Sequence, residues 1–244
     1  MIRKILKKVY FFINERTYQG RLKYVYKRKH SKTLIVSFSG FGPKPVYNYM
    51  RTLNDIALDQ LFILDDFGYK GSYYWYENGE DIPRRLAFDL ISKIINGGGY
   101  NRVITIGSSK GGTCAIYYGL LLGASDIYSG ACQYYVGKYL NTEAHLPIMN
   151  AMMMGYSNQK AEYILDRMLP DVIKQSQGTS SKVHLLYSKQ EHTYDEHIKF
   201  LIEDLKKYDI DYDEQIEEFD DHSVVGKFFS PWVLKNLNNI NNEK

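Results

Sequence analysis

Short apolar runs alternate along this chain with stretches whose apolar residues recur at helical spacing. Residues 34–38 (LIVSF) are apolar at all but one position, the pattern of a strand buried on both faces. Pro45, a residue suited to a first helical turn, predicts a helix from there to Ile56. Leu61–Leu64 reads as the next strand and runs into Asp65-Asp66. Asp81, with Pro83 in the first turn, opens a helix that Gly97-Gly98-Gly99 ends. Val103–Ile106 is a strand, Lys110–Leu122 a helix, and Asp126–Cys132 a more polar strand. VHLLY (183–187) is another strand, and Thr193 with Glu196 has the spacing of a capping box opening a helix to about Tyr208. Glu214–Phe219 closes the series of strands, and a terminal helix carries Trp232. Strands separated by helices at this spacing predict an α/β fold, a doubly wound, mostly parallel sheet with right-handed crossovers.

Residues 133–180 interrupt the rhythm as a helical, cap-like insertion within one domain spanning 33–237, flanked by an arm (1–32) and a polar tail (238–244). In such a sheet an insertion at this point covers the carboxyl ends of the strands, where ligands bind. Its methionines, Met149, Met152, Met153 and Met154, suit either an adaptable apolar pocket or the packing of a cap helix, with packing preferred.

Charge changes this picture at the amino end. Residues 1–32 hold eleven Lys/Arg against Glu15 alone, so this arm carries +10 and the remainder −7 of the net +3. A basic β arm on an acidic body suits contact with an anionic surface, and it also suits a solvated edge strand, the preferred reading. The apolar run Val9–Ile13 is too short for a signal peptide, and no run approaches the ~18 apolar residues of a membrane span. Two cysteines in apolar surroundings, Cys114 and Cys132, fit a reduced, cytoplasmic protein, peripheral at most to the inner membrane face. The 23 tyrosines suit a half-wet groove for a carbohydrate-like ligand as well as plain core packing. Histidines and carboxylates show no spacing of the His-Glu-x-x-His kind, so no metal and no cofactor is implied, and no nucleic-acid reading motif is present.

The candidate chemistry lies at ITIGSSKGG (104–112), where a strand meets a helix through Gly107, Ser109 and Gly111. A serine hydroxyl attacks a carbonyl only with a base to take its proton and donors for the resulting oxyanion. The backbone N–H of Lys110, at the helix start, is the natural first donor. Lys110 precedes the glycine pair, which excludes the phosphate-binding order Gly-Lys-Ser/Thr.

With Gly-x-Ser-x-Gly in this context, the chain over residues 33–237 resembles the α/β-hydrolase superfamily, whose catalytic residues follow in the order Ser, Asp/Glu, His. The resemblance implies Ser109 as nucleophile, Glu191 in YSKQEHTYDEHI (187–198) as the acid with Asp195 as its alternative, and His222 in EEFDDHSVVG (217–226) as the base. Of the other histidines, His192 beside Glu191 is the rival; His30, His145, His184 and His197 fall in the arm, the insertion, a strand and a helix. SFSGFG (37–42) corresponds to the family's second oxyanion loop, with the Phe41 N–H as donor and Gly40 lining the substrate site. Asp66, Gly68, Gly71 and Ser72 in LDDFGYKGSYYW (64–75) resemble the family's glycine turn, from which Tyr73 and Trp75 would reach the substrate.

The function this implies is serine-dependent acyl hydrolysis or O-acyl transfer, acting on a small acyl ester or acylated glycan. FGYKGSYYW and GSSKGG are also loosely similar to bacterial accessory proteins of surface-polysaccharide and glycoprotein export. From them comes the alternative, a non-catalytic binding module of the same fold.

Overall fold

The computed structural model describes residues 14–242, so the first part of the basic arm, with its Val9–Ile13 run, lies outside the described residues. Strands β1 (Glu15–Tyr18), β2 (Leu22–Lys27), β3 (Thr33–Ser37), β4 (Asp59–Ile63), β5 (Arg102–Ser108), β6 (Asp126–Gly130), β7 (Lys182–Tyr187) and β8 (Tyr212–Ile216) form one sheet. Their order is β1-β2-β4-β3-β5-β6-β7-β8, with β1 and β2 antiparallel at one edge and the rest parallel.

Alternation along each strand builds a core on both faces. Leu34, Val36, Leu61 and Ile63 point toward helices α1 (Ile82–Gly98) and α2 (Lys110–Leu121), whereas Ile35, Phe62, Ile104 and Ile106 point the other way. Between β6 and β7 run α3 (Val136–Leu140), α4 (Leu146–Met152) and α5 (Asn158–Gln175). α6 (Lys199–Lys207) precedes β8, and α7 (Val225–Asn242) seals the second face with Phe229, Val233 and Leu237.

Four sequence expectations are corrected. Residues 45–56 form a series of turns and no helix: Tyr49 has φ +62°, and Asn48 bonds Ser37 and Gly40 instead of continuing a helical ladder. β6 stops at Gly130 because Ala131, with φ +40°, turns the chain. β8 lies at Tyr212–Ile216, where its register matches Val183–Tyr187 of β7, and Phe219 stacks on Phe228 of α7 instead. Thr193 does not cap: its backbone is already helical (φ −65°, ψ −21°), its hydroxyl donates to Glu191, and a π-helical turn, Tyr194–Ile198, leads into α6.

Met149, Met152 and Met153 are buried in the main core, while Met154 is exposed. The basic arm is partly neutralised within the fold. Arg21 pairs with Asp66 and Glu77, and Lys23 with Asp66, tying β2 to the loop after β4.

Candidate active site

The parallel strands deliver their carboxyl ends to one rim of the sheet. Ser109 stands between β5 and α2 at φ +53°, ψ −128°, a conformation that strains any residue with a Cβ. Three hydrogen bonds hold it: its N–H donates to the Gly130 carbonyl at 2.7 Å, and its carbonyl accepts from Gly112 (2.8 Å) and Thr113 (3.1 Å). The turn closes so tightly that a Cβ on Gly107 would lie 2.1 Å from the Gly111 carbonyl oxygen. Glycine is therefore a packing requirement at this elbow.

His222 comes from the loop after β8, in the short turn His222–Val224 that its neighbour Asp221 caps through the Ser223 N–H. Its Nε2 lies 2.7 Å from Ser109 Oγ and its Nδ1 3.1 Å from Glu191 Oε1. Glu191, after β7, has a side chain closed to solvent. Burial works against its ionisation, but hydrogen bonds from His222 and Thr193 outweigh it and hold the carboxyl below the usual range. The structure thus brings together Ser109, Glu191 and His222 from three separate loops.

The alternatives fall elsewhere. Asp195 is 76% exposed at the side chain and pairs with Lys199. His192 is half exposed, with Nε2 3.1 Å from the same Glu191 oxygen that His222 meets. His145 stacks on Tyr139 at the cleft wall, His184 is clamped by Asp126 and Asp213, and His197 is buried behind the site.

Lys110 opens α2 directly after Ser109, at the positive end of the helix dipole. Its side chain turns inward, fully buried, and pairs with Asp65. Phe41 lines the cleft, with Lys110 Nζ 5.3 Å from its ring centroid and Tyr73 edge-on behind it at 5.4 Å. Gly40 also lines the cleft, its N–H donating to Asn48 Oδ1 at 3.1 Å. Tyr73 and Trp75 do not reach it: both are wholly buried and stack on each other at 5.2 Å, so they back Phe41 and do not touch a substrate. The cleft, of about 610 Å³, opens over Ser109 and His222 between the 40–52 loop and the 139–148 segment.

Residues that sequence reasoning missed complete the geometry. Gln133, fully buried after β6, donates from Nε2 to Ser109 Oγ (3.2 Å) and is fixed by Thr113 through its backbone. Its one signal is a polar side chain amid the apolar positions of GACQYY (130–135). Asp65, and not Asp66, organises the glycine turn, accepting from the N–H of Ser72 (2.8 Å) and of Tyr74 (3.3 Å).

No family model and no curated protein matches the chain in sequence. Solved structures do match in shape. A capsule O-acetyltransferase of Neisseria meningitidis serogroup A, in complex with CoA, superposes with a TM-score of 0.76 at 20% identity, covering 91% of this chain and 94% of that one. A fluorophosphonate-binding serine hydrolase of Staphylococcus aureus, substrate bound, gives 0.68 at 15% identity, with coverage of 93% and 96%. A glycosylation-associated protein complex of Streptococcus agalactiae gives 0.70 at 17% identity, over 93% of this chain and 46% of that one.

The chain has the α/β-hydrolase fold. In this α/β-hydrolase sheet the rim carries a hydroxyl, an imidazole and a carboxylate in hydrogen-bonded series, able to move a proton from Oγ to Nε2 and to stabilise the resulting cation. Among the described residues no helix is long and apolar enough to cross a membrane.

Proposed function

We propose that this protein is a serine-dependent acyl hydrolase or O-acyltransferase working through Ser109, His222 and Glu191. The observation that carries the reading is the continuous relay from Ser109 Oγ through His222 to a buried carboxylate, 2.7 Å and 3.1 Å per step. Ser109 Oγ attacks the acyl carbonyl carbon while His222 Nε2 takes its proton, and Glu191 stabilises the imidazolium. The backbone N–H groups of Lys110 and Phe41 receive the oxyanion. Collapse of the tetrahedral intermediate returns the His222 proton to the leaving group and leaves an ester on Ser109. A water or sugar hydroxyl, deprotonated by His222, then releases the acyl group.

The likeness to an acetyltransferase bound to CoA supports an acyl thioester as donor and a surface glycan as acceptor. A groove in which Arg16, Arg28 and Lys93 stand among Tyr18, Tyr24 and Tyr26 supports anionic contact by the arm, from a cytoplasmic protein. Likeness to a glycosylation-associated complex favours the second reading, a binding module without turnover.

The deciding experiment compares wild type and Ser109→Ala in release of p-nitrophenol from p-nitrophenyl acetate, alongside fluorophosphonate labelling. Ser109-dependent turnover and labelling are expected. Equal turnover in both proteins would remove Ser109 from the reaction, and neither turnover nor labelling would leave the binding module.

A further inference from the structure

His192 has no part in the proposed proton relay, yet it faces the relay's carboxylate. Its Nε2 and the Nδ1 of His222 each lie 3.1 Å from Glu191 Oε1, and the three ligand atoms fall within 4.8 Å of one another. No other cluster of this kind occurs among the described residues. Two imidazoles and one carboxylate are a donor set that suits Zn²⁺. With metal–ligand bonds of about 2.0–2.2 Å, tetrahedral geometry separates ligand atoms by roughly 3.3–3.5 Å, close to two of the three edges already present. The third edge closes by rotation of His192, whose half-exposed side chain meets Glu196 Oε2 at 3.3 Å through Nδ1, while Glu191 is held by Thr193.

We propose that Glu191, His192 and His222 form an inhibitory zinc site that takes the catalytic base out of service. The silencing rests on the serine-hydrolase reading given above; the binding of the metal does not. A neutral imidazole carries one proton, and a metal on His222 Nδ1 leaves that proton on Nε2. Nε2 is then a donor toward Ser109 Oγ and has no lone pair to accept the serine proton. The same ion takes Glu191 away from the hydrogen bond that orients the ring. Both effects stop the attack without any change of fold.

The test pairs a competition titration of Zn²⁺ against a chromophoric zinc indicator with p-nitrophenyl acetate hydrolysis, on wild type and His192→Asn. Wild type is expected to take up one equivalent of Zn²⁺ and lose turnover in parallel, with Mg²⁺ inert. His192→Asn is expected to keep its metal-free rate and to need at least about tenfold more Zn²⁺ for either readout, one tenfold step being about 1.4 kcal/mol. Equal zinc affinity in both proteins, or no uptake by wild type, overturns the site. If Ser109-dependent turnover is absent, the hydrolase reading fails while the titration still decides whether zinc binds.

Discussion

Lys110 Nζ and Asp65 Oδ2 form an ion pair with no solvent exposure on either side chain, directly behind the strained serine. The pair links the start of α2 to the loop after β4, and Lys110 Nζ also sits 5.3 Å from the ring centroids of Phe41 and Tyr74. One side chain therefore braces the start of α2 against the loop that carries Phe41. Space for it depends on Gly71, where φ is +104° and a Cβ would lie 2.8 Å from Lys110 Nζ.

Removing one partner of such a pair leaves a buried charge without compensation. Lys110→Met is expected to destabilise the fold by about 3–5 kcal/mol. Adding Asp65→Asn, which keeps acceptors for Ser72 and Tyr74, is expected to recover part of that loss. Urea unfolding of the two single variants and the double variant gives the coupling directly. Additive losses would show that the pair has no energetic connection.

Gln133 donates to Ser109 Oγ, and its Oε1 accepts from Tyr73 at 3.4 Å. The donated bond leaves the Ser109 proton directed at His222. Gln133→Met removes the amide donor without burying a charge and gives up only the long 3.4 Å contact to Tyr73, so the fold is expected to hold. The rate of fluorophosphonate labelling is then expected to fall at least about tenfold, 1.4 kcal/mol in the barrier. An unchanged labelling rate would reduce Gln133 to packing.

Glu191 and Asp195 compete for one role, and their surroundings differ. Glu191→Gln retains the shape but not the charge that favours the imidazolium, and is expected to lower turnover about 10³-fold or more. Asp195→Asn alters an exposed ion pair with Lys199 that touches no member of the relay, and is expected to leave turnover within about twofold. The pKa of Glu191 is held below its ordinary value, so its stabilising effect is present above the unfolded carboxylate range and is lost as pH falls through the folded value. Steady-state rates for both variants check the assignment; a larger loss in Asp195→Asn would reverse it.

The readable parts of this site are those that backbone context dictates. Ser109 could be named because Gly-x-Ser-x-Gly between an apolar strand and a small-residue helix leaves the serine little choice of position. Glu191 follows β7, legible from its apolar run, whereas β8 ahead of His222 is polar and largely open to solvent, which is why the sequence pattern misplaces its bounds. Asp65 and Lys110 lie 45 positions apart, and only the assembled sheet brings them together. Tyr73 and Trp75 look like ligand-facing aromatics in the sequence, but positive φ at Tyr73 and Tyr74 turns the segment into the core. Pro45 reads as a helix start for residues 45–56, yet the Tyr49 hydroxyl's contact with Ser108 Oγ at 2.5 Å, beside the elbow, holds them as turns. Local propensity loses there to tertiary contacts.

His197 makes the fold sensitive to acid. Its side chain is buried, Nδ1 accepts from the Tyr135 N–H at 3.3 Å, and Nε2 has no hydrogen-bond partner among the described residues, with Glu196 Oε2 at 3.9 Å. Burial, reinforced by the neighbouring His192 and Lys138, pushes its pKa from 6.5 down to about 4. The folded protein keeps this ring neutral while the unfolded chain protonates it below about pH 6.5, so stability falls as pH drops from there to about 4. Between pH 7 and 5 the expected loss from this group is about 2 kcal/mol. His197→Gln keeps an acceptor for Tyr135 without a titrating ring and is expected to lose that much less over the same interval. Urea unfolding of both proteins at the two pH values measures the difference, and equal losses would assign the acid sensitivity to other groups.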